Sequence, residues 1–376
     1  KKIIPYAIPV SLDGRRQWGM SWNIVGGIHK LFPVLIHSWL LHQENLFKLK
    51  FYAFSRWWVG KRLSKRGYDL NPMRTYLDEV EQADIVVASG GGYVTDPFEG
   101  HACNLLQTLA LAQSFGKLTA MFGQGLGPVS SKKLFAWTKK VLCGLDTLSL
   151  REGLYSKPLA LSVGVPTKKI NVTGDDAITL VYSKTPSSLG NAIGINLRVA
   201  SYSGLHGEIL SNIKNVLDEA TVKYKTELRP IPISGHDADS DVEALRFLLA
   251  DDIIESAKML DTPEKVIEQV AGCRIVITGS YHAGVFALSQ GVSVIGVAAS
   301  DYYRHKFEGL ASQFGDGCVV VDRESPDFID NLQSAINKSW NDAEIMRSDL
   351  LDNAKKQIRL SESVYGSFMD RCSQDE

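Results

Sequence analysis

Residues 84–92, Asp-Ile-Val-Val-Ala-Ser-Gly-Gly-Gly, and residues 118–128, Leu-Thr-Ala-Met-Phe-Gly-Gln-Gly-Leu-Gly-Pro, decide the fold. Each is a short apolar run, of a length that suits a buried strand, and each stops abruptly in glycine. Between them Leu105–Phe115 has helical character, with Gly116 as its stop signal. Strand, glycine loop and helix in repeated order is the mark of a parallel sheet wound with helices. Ser131–Leu142 adds a helix, and Thr147–Leu150 a short strand running into Arg151-Glu152.

Working outward, Ile3–Val10 predicts a strand ending in the loop 13–19, and Ser21–Phe32 a helix with Trp22, Val25, Ile28 and Phe32 on one face. Residues 40–66 predict amphipathic helix ending near Gly67. Downstream, Lys184-Thr-Pro-Ser-Ser-Leu-Gly190 is rich in Pro, Ser and Gly and predicts a linker. The pattern then restarts. Strands are expected at Ala192–Leu197, Leu228–Ile233, Arg274–Thr278, Val292–Val297 and Cys318–Val321. Helices are expected at Leu205–Tyr224, Asp239–Leu249, Thr262–Val270 (Thr262 as cap) and His282–Gln290, with residues 326–370 mostly helical. The expectation is two doubly wound, Rossmann-like α/β domains, residues 1–185 and 190–376, facing a cleft.

Of 376 residues, 44% are apolar and 22% charged, as in an ordinary globular protein. There is no run of 18 apolar residues and no basic-then-apolar leader, so neither a membrane span nor a signal peptide is expected. The net charge of −1 argues against a nucleic-acid partner. Cys103, Cys143, Cys273, Cys318 and Cys372 form no CxxC pair and no metal-spaced cluster, which suits reduced thiols in a cytoplasmic protein without a metal. Residues 1–66 stand apart. They carry twelve Lys/Arg against Asp13 and Glu44, and five of the seven tryptophans. Such a mixture suits an anionic membrane surface or a lipid-phosphate ligand, and equally a solvated basic face over an aromatic core.

In wound sheets, ligands bind beyond the carboxyl ends of the strands. That rule selects Gly91, Gly92, Gln124 and Arg151 from the first half, and Arg198, Ser234–Asp237 and Gly279-Ser280-Tyr281-His282 from the second. The glycine loops either bring N–H groups against an anion or are plain tight turns. They lack the Walker lysine and the dinucleotide spacing. His282 opens a helix, where the dipole favours its neutral, proton-accepting form; a capping and packing role is the other reading. Arg198 is placed to clamp a carboxylate or phosphate. Arg151 is placed similarly, or forms an interdomain ion pair. Asp175-Asp176 reads as a turn or helix cap rather than a metal site. Tyr303-Arg304-His305-Lys306 reads as a basic, aromatic loop. His29, His37 and His42 read as packing or surface residues.

The order of these motifs resembles the polysaccharide pyruvyl transferase family. The resemblance rests on Gly90–Gly92 with Asp96-Pro97, then Gly123–Pro128, Leu150-Arg151-Glu152 and Gly174-Asp175-Asp176-Ala177. It continues through Thr278–Ala287, Gly291–Gly296 and Tyr303…Lys306, spanning roughly residues 80–310. It implies a GT-B-like pair of domains and transfer of the pyruvyl group of phosphoenolpyruvate onto a sugar of a cell-surface polysaccharide or its lipid-linked precursor, as a ketal. No cofactor is implied. On this reading His282 and Arg198 are catalytic, and Gly279, Ser280, Tyr281, Arg304 and Lys306 bind donor. Gly91, Gly92, Gln124 and Arg151 bind acceptor, and no residue binds metal. Two positions depart from the pattern. Ser280 stands where the family often has Arg, and Trp18-Gly19-Met20-Ser21 where it often has Gly-Asn-x-Gly-Asp. A nucleotide-sugar glycosyltransferase and a non-catalytic membrane-surface scaffold are the alternatives. The expected location is the cytoplasm, peripheral at the inner membrane face; a homo-oligomer is left open.

Overall fold

The computed structural model describes residues 8–19, 34–197, 207–234, 241–246 and 248–374. The chain divides into two compact units, residues 1–150, 156–171 and 364–376 in the first, and 151–155 and 172–363 in the second. The break expected at 184–190 therefore lies inside the second unit.

The first unit opens with helices α1 (Ile8–Gly19), α2 (Val34–Lys50), α3 (Tyr52–Lys65) and α4 (Asn71–Gln82). The described part of the expected first strand, residues 8–10, thus begins a helix instead; it bonds within its own turn and joins no sheet. The expected helix 21–32 lies outside the described residues. Trp18, Val59, Leu63, Met73, Tyr76, Leu77 and Val80 pack with Leu111 and Ala112 into one core. Next come β1 (Ile85–Ala88), β2 (Gly91–Val94), α5 (Glu99–Ser114), β3 (Leu118–Leu126), α6 (Lys132–Gly144), β4 (Thr147–Leu150), α7 (Ser156–Ser162) and β5 (Ile170–Val172). Among the described residues the sheet runs β1-β3-β4-β5, and β2 follows β1 along the same edge of β3. Gly116 acts as expected and stops α5 at a φ of +70°, while the Ser131 hydroxyl caps α6 by accepting the Leu134 N–H.

The second unit holds α8 (Ala177–Tyr182), β6 (Ala192–Asn196), α9 (Gly207–Tyr224), β7 (Leu228–Pro230), α10 (Asp241–Leu245), α11 (Asp251–Ala257), α12 (Pro263–Ala271) and β8 (Cys273–Thr278). It continues with α13 (Tyr281–Ser289), β9 (Ser293–Ala298), α14 (Asp301–Phe314) and β10 (Cys318–Asp322). Its strands lie parallel in the order β7-β6-β8-β9-β10. Ile193, Ile195, Ile275, Ile277, Ile295 and Val297 join one hydrophobic cluster, while Ala192, Val276 and Val294 join another. Strand side chains alternate between faces, so both faces of this sheet are covered, as a doubly wound sheet requires.

The last helix, α15 (Phe328–Gln374), is continuous over 47 residues. Its final turns belong to the first unit. There Phe368 and Cys372 pack on Ala120 and Phe122, Tyr365 stacks on Phe122 at 4.0 Å, and Arg371 bonds the Asp146 carbonyl and the Thr147 hydroxyl. Among the described residues no helix is long and apolar enough to cross a membrane.

Candidate active site

Within the second unit the chain leaves β6 for β7 on one side and returns to β8 on the other. That reversal opens a crevice at the carboxyl ends of β6 and β8. Asn196 and Thr278 sit opposite each other there. The buried Asn196 amide donates to the Ile231 carbonyl (2.7 Å) and to Asp241 Oδ2 (2.8 Å). Asp241 Oδ2 also accepts the N–H groups of Ile233 (2.8 Å) and Ser234 (3.0 Å). One buried carboxylate thus ties the ends of β6 and β7 together. The sequence reading passed over it, because Asp237, Asp239 and Asp241 alternate before a helix and nothing local singles out the third.

The Gly279 N–H donates to the Asn196 carbonyl (2.7 Å), and the Ser280 N–H to Thr278 Oγ1 (2.8 Å). Both amides are therefore used inside the protein rather than offered to an anion. Ser280 is the N-cap of α13 and makes no side-chain cap bond. The first N–H groups of α13 have no intrahelical partner and carry the positive end of its dipole. Tyr281 is buried and packs under the Arg151 guanidinium, 3.9 Å from the ring centroid. Burial holds its phenol well above the usual range. His282 sits edge-on to Tyr281, with ring centroids 5.6 Å apart. His282 is exposed to solvent, yet neighbouring protein partly desolvates its ring. That desolvation lowers its pKa, Arg151 and Lys306 lower it further, and Asp175 opposes them. The neutral form of the imidazole is therefore favoured. The direction is the expected one, and burial is its leading cause.

Arg151 belongs to this second unit and is 5% exposed. Its guanidinium lies 4.0 Å from Asp175 Oδ2. Gly174, at a φ of +88°, makes the turn that delivers Asp175, whose other oxygen accepts the Ala177 N–H at the start of α8 (3.0 Å). Asp175 is thus a turn residue and a buried counter-ion. Among the described residues no group of His, Cys, Asp and Glu could hold a metal. Glu152 accepts the Tyr155 N–H at 2.8 Å.

Tyr303–Lys306 lies in α14 rather than in a loop. Extended Ser300 and the first-turn acid Asp301 start that helix, and the pattern outweighed the polar look of the stretch. Lys306 Nζ stands over Tyr302 at 3.9 Å and Tyr303 at 5.5 Å. Arg304 is bound to Asp322 (2.9 Å) and Asp301 (3.1 Å), so its guanidinium ties α14 to β10. Arg198 and residues 235–237 lie outside the described residues.

In the first unit, Gly91 and Gly92 are strand residues of β2, and Gly91 pairs with Gln124 in register. Gln124 is fully buried. Its amide donates to the carbonyls of Ser89 (2.8 Å) and Phe122 (2.9 Å), with a longer contact to Ala88 (3.4 Å), and so fills the gap between β1 and β2. Tyr93 Oη donates to the same Ser89 carbonyl at 3.0 Å. Gln124→Ala is expected to lower unfolding free energy by about 1–3 kcal/mol, because buried carbonyls lose their donor. Urea denaturation measures this, and an unchanged midpoint would contradict it.

A pocket of about 440 Å³ opens beside His282, with Phe286, Ile233, Leu260 and Thr262 among its walls. Phe286 stands one helical turn after His282 on α13, a spacing the sequence reading could have used. The Thr262 hydroxyl caps α12, as expected.

The family model described as "Polysaccharide pyruvyl transferase" matches residues 20–301. No curated protein matches. A protein described as a UDP-N-acetylglucosamine 2-epimerase from Listeria monocytogenes has a similar structure, with a TM-score of 0.51, 13% identity and 82% of each chain covered. Two others are Anabaena Alr3699/HepE in complex with UDP (TM-score 0.46, 12% identity, covering 80% of this chain and 82% of that one) and the Methanocaldococcus jannaschii UDP-GlcNAc 2-epimerase (0.42, 15%, 73% and 77%). At such identities the likeness concerns the fold alone, which is α/β, Rossmann-like and of GT-B type.

Proposed function

Because the chain belongs to the polysaccharide pyruvyl transferase family, we propose that it moves the pyruvyl group of phosphoenolpyruvate onto a sugar of a cell-surface polysaccharide or its lipid-linked precursor. It is a transferase of polysaccharide modification; donor, ketal product and residue roles are the proposal. One observation carries it: neutral His282 at the start of α13, beside the cations Arg151 and Lys306. That arrangement offers a base in a positive field.

In the proposed reaction a sugar hydroxyl adds to C2 of phosphoenolpyruvate as a proton reaches C3, and the methylene becomes a methyl. A second hydroxyl then displaces phosphate at C2, which closes the ketal and releases inorganic phosphate with that hydroxyl's proton. Nothing is oxidised or reduced, and no cofactor is required. His282 takes the hydroxyl proton and returns it. Lys306 and the α13 N-terminus stabilise the departing phosphate. Arg151 is a positioning residue: it holds Tyr281 from behind, and its charge helps keep His282 neutral. Arg198 remains a proposed donor clamp.

The test is calorimetric titration of phosphoenolpyruvate into wild type and Lys306→Met. Loss of a charged contact is expected to weaken binding about 10–100-fold. Equal affinity would remove Lys306 from the site, and no binding to wild type would remove the donor. A nucleotide-sugar donor is the second reading. It is favoured by Ser280, where the family often carries Arg, and by the pocket beside His282.

A further inference from the structure

Helices α2 and α3 carry a run of aromatic rings that the fold leaves in water. Phe47, Phe51, Phe54 and Trp57 are 36%, 46%, 49% and 55% exposed. Phe47 and Phe51 lie 4.5 Å apart between ring centroids, and Phe47 and Phe54 6.4 Å apart. Phe54 reaches Trp57 at 6.0 Å and Trp58 at 6.1 Å. The helices are nearly continuous through Phe51, since its N–H bonds the Phe47 carbonyl and its carbonyl accepts from Ser55. Residues 47, 51, 54 and 58 therefore share a face. The opposite face of α3, with Ser55, Val59 and Leu63, is buried. A contiguous exposed aromatic patch of this kind marks a surface that something covers.

The charges around it say what. Residues 45–68 contain seven Lys/Arg and no acid. Lys48 pairs with Glu44, and Arg56 with Asp78 and Glu81. Lys50, Lys61, Lys65 and Arg66 are exposed around the rings. Lys61 lies over Trp57 at 4.9 Å and Lys50 over Phe51 at 5.5 Å. A groove of about 650 Å³ beside Trp57 is lined by Lys61, Arg74 and the Arg56–Glu81 ion pair. Lysine is depleted at protein interfaces, whereas Trp and Phe ringed by Lys and Arg suit the headgroup boundary of an anionic bilayer. We propose that the aromatic face of α2–α3 docks this chain on an anionic lipid surface, with the rings at the headgroup boundary and Lys50, Lys61, Lys65 and Arg66 on the lipid phosphates. The proposal does not depend on the donor's identity.

Cosedimentation of the whole chain with mixed phosphatidylglycerol–phosphatidylcholine vesicles, beside phosphatidylcholine alone, tests it. Binding is expected to the mixed vesicles only and to weaken with salt. Lys61→Glu with Lys65→Glu is expected to lower partitioning on the order of 100-fold. Phe54→Ala with Trp57→Ala is expected to lower it on the order of tenfold. These side chains are exposed, so the melting temperature should hold in both double variants. No binding to the anionic vesicles would overturn the proposal. So would binding that both double variants retain, or concentration-dependent self-association lost in Phe54→Ala/Trp57→Ala without vesicle binding.

Discussion

His282→Ala is expected to lower turnover about 10²–10⁴-fold while the protein stays folded. That range corresponds to about 3–5 kcal/mol of transition-state stabilisation. The ring is partly open to solvent, so its removal leaves no cavity in the core and the melting temperature should hold. The pH profile supplies a second readout. The base works when neutral, and its pKa is lowered from 6.5 by desolvation, with Arg151 and Lys306 acting the same way. kcat/KM should therefore be flat near neutrality and fall only as pH drops through a value below 6.5. That acidic limb should vanish from the residual activity of the variant. Turnover within a few-fold of wild type, with the limb intact, would remove His282 from the role of base.

Arg151→Met is expected to destabilise the protein by about 3–5 kcal/mol. The reason is what stays behind. Asp175, whose side chain is 8% exposed, would keep its charge in a buried place and lose the cation beside it. Tyr281 would lose the guanidinium that lies on its ring. For a protein of this size the melting temperature should fall by about 5 °C. Adding Asp175→Asn should recover part of the loss, since the buried charge is then gone. A melting temperature that Arg151→Met leaves in place would show that the Arg151–Asp175 contact contributes nothing to the fold.

What the sequence made legible was local. Gly116 and Thr262 end or cap helices through neighbours three residues away, and each could be read directly. The strand–glycine–helix order needed only short-range pattern, and it produced both parallel sheets. Partners distant in the chain were not legible. Gln124 looked like a residue at a glycine-rich strand end, because its carbonyl partners at Ala88 and Ser89 lie across the sheet. Arg151 looked like part of the first half of the chain, because Tyr281, on which it lies, is 130 residues later. The amphipathic pattern of α15 says that a helix exists, not that its last turns return to the first sheet. His282 was singled out because a buried strand, a glycine and a helix start converge on it within a few residues. Asp241, which ties β6 to β7, was missed because its neighbours carry the same charge.

The most direct test of the donor assignment is a thermal shift of the wild-type chain with phosphoenolpyruvate beside UDP, CMP and GDP. A ligand at 100 times its dissociation constant adds about 2.7 kcal/mol, which is readily measured. A rise in melting temperature with phosphoenolpyruvate and none with the nucleotides is the predicted result. A rise with one nucleotide and none with phosphoenolpyruvate would contradict it and give the site to a nucleotide-sugar donor.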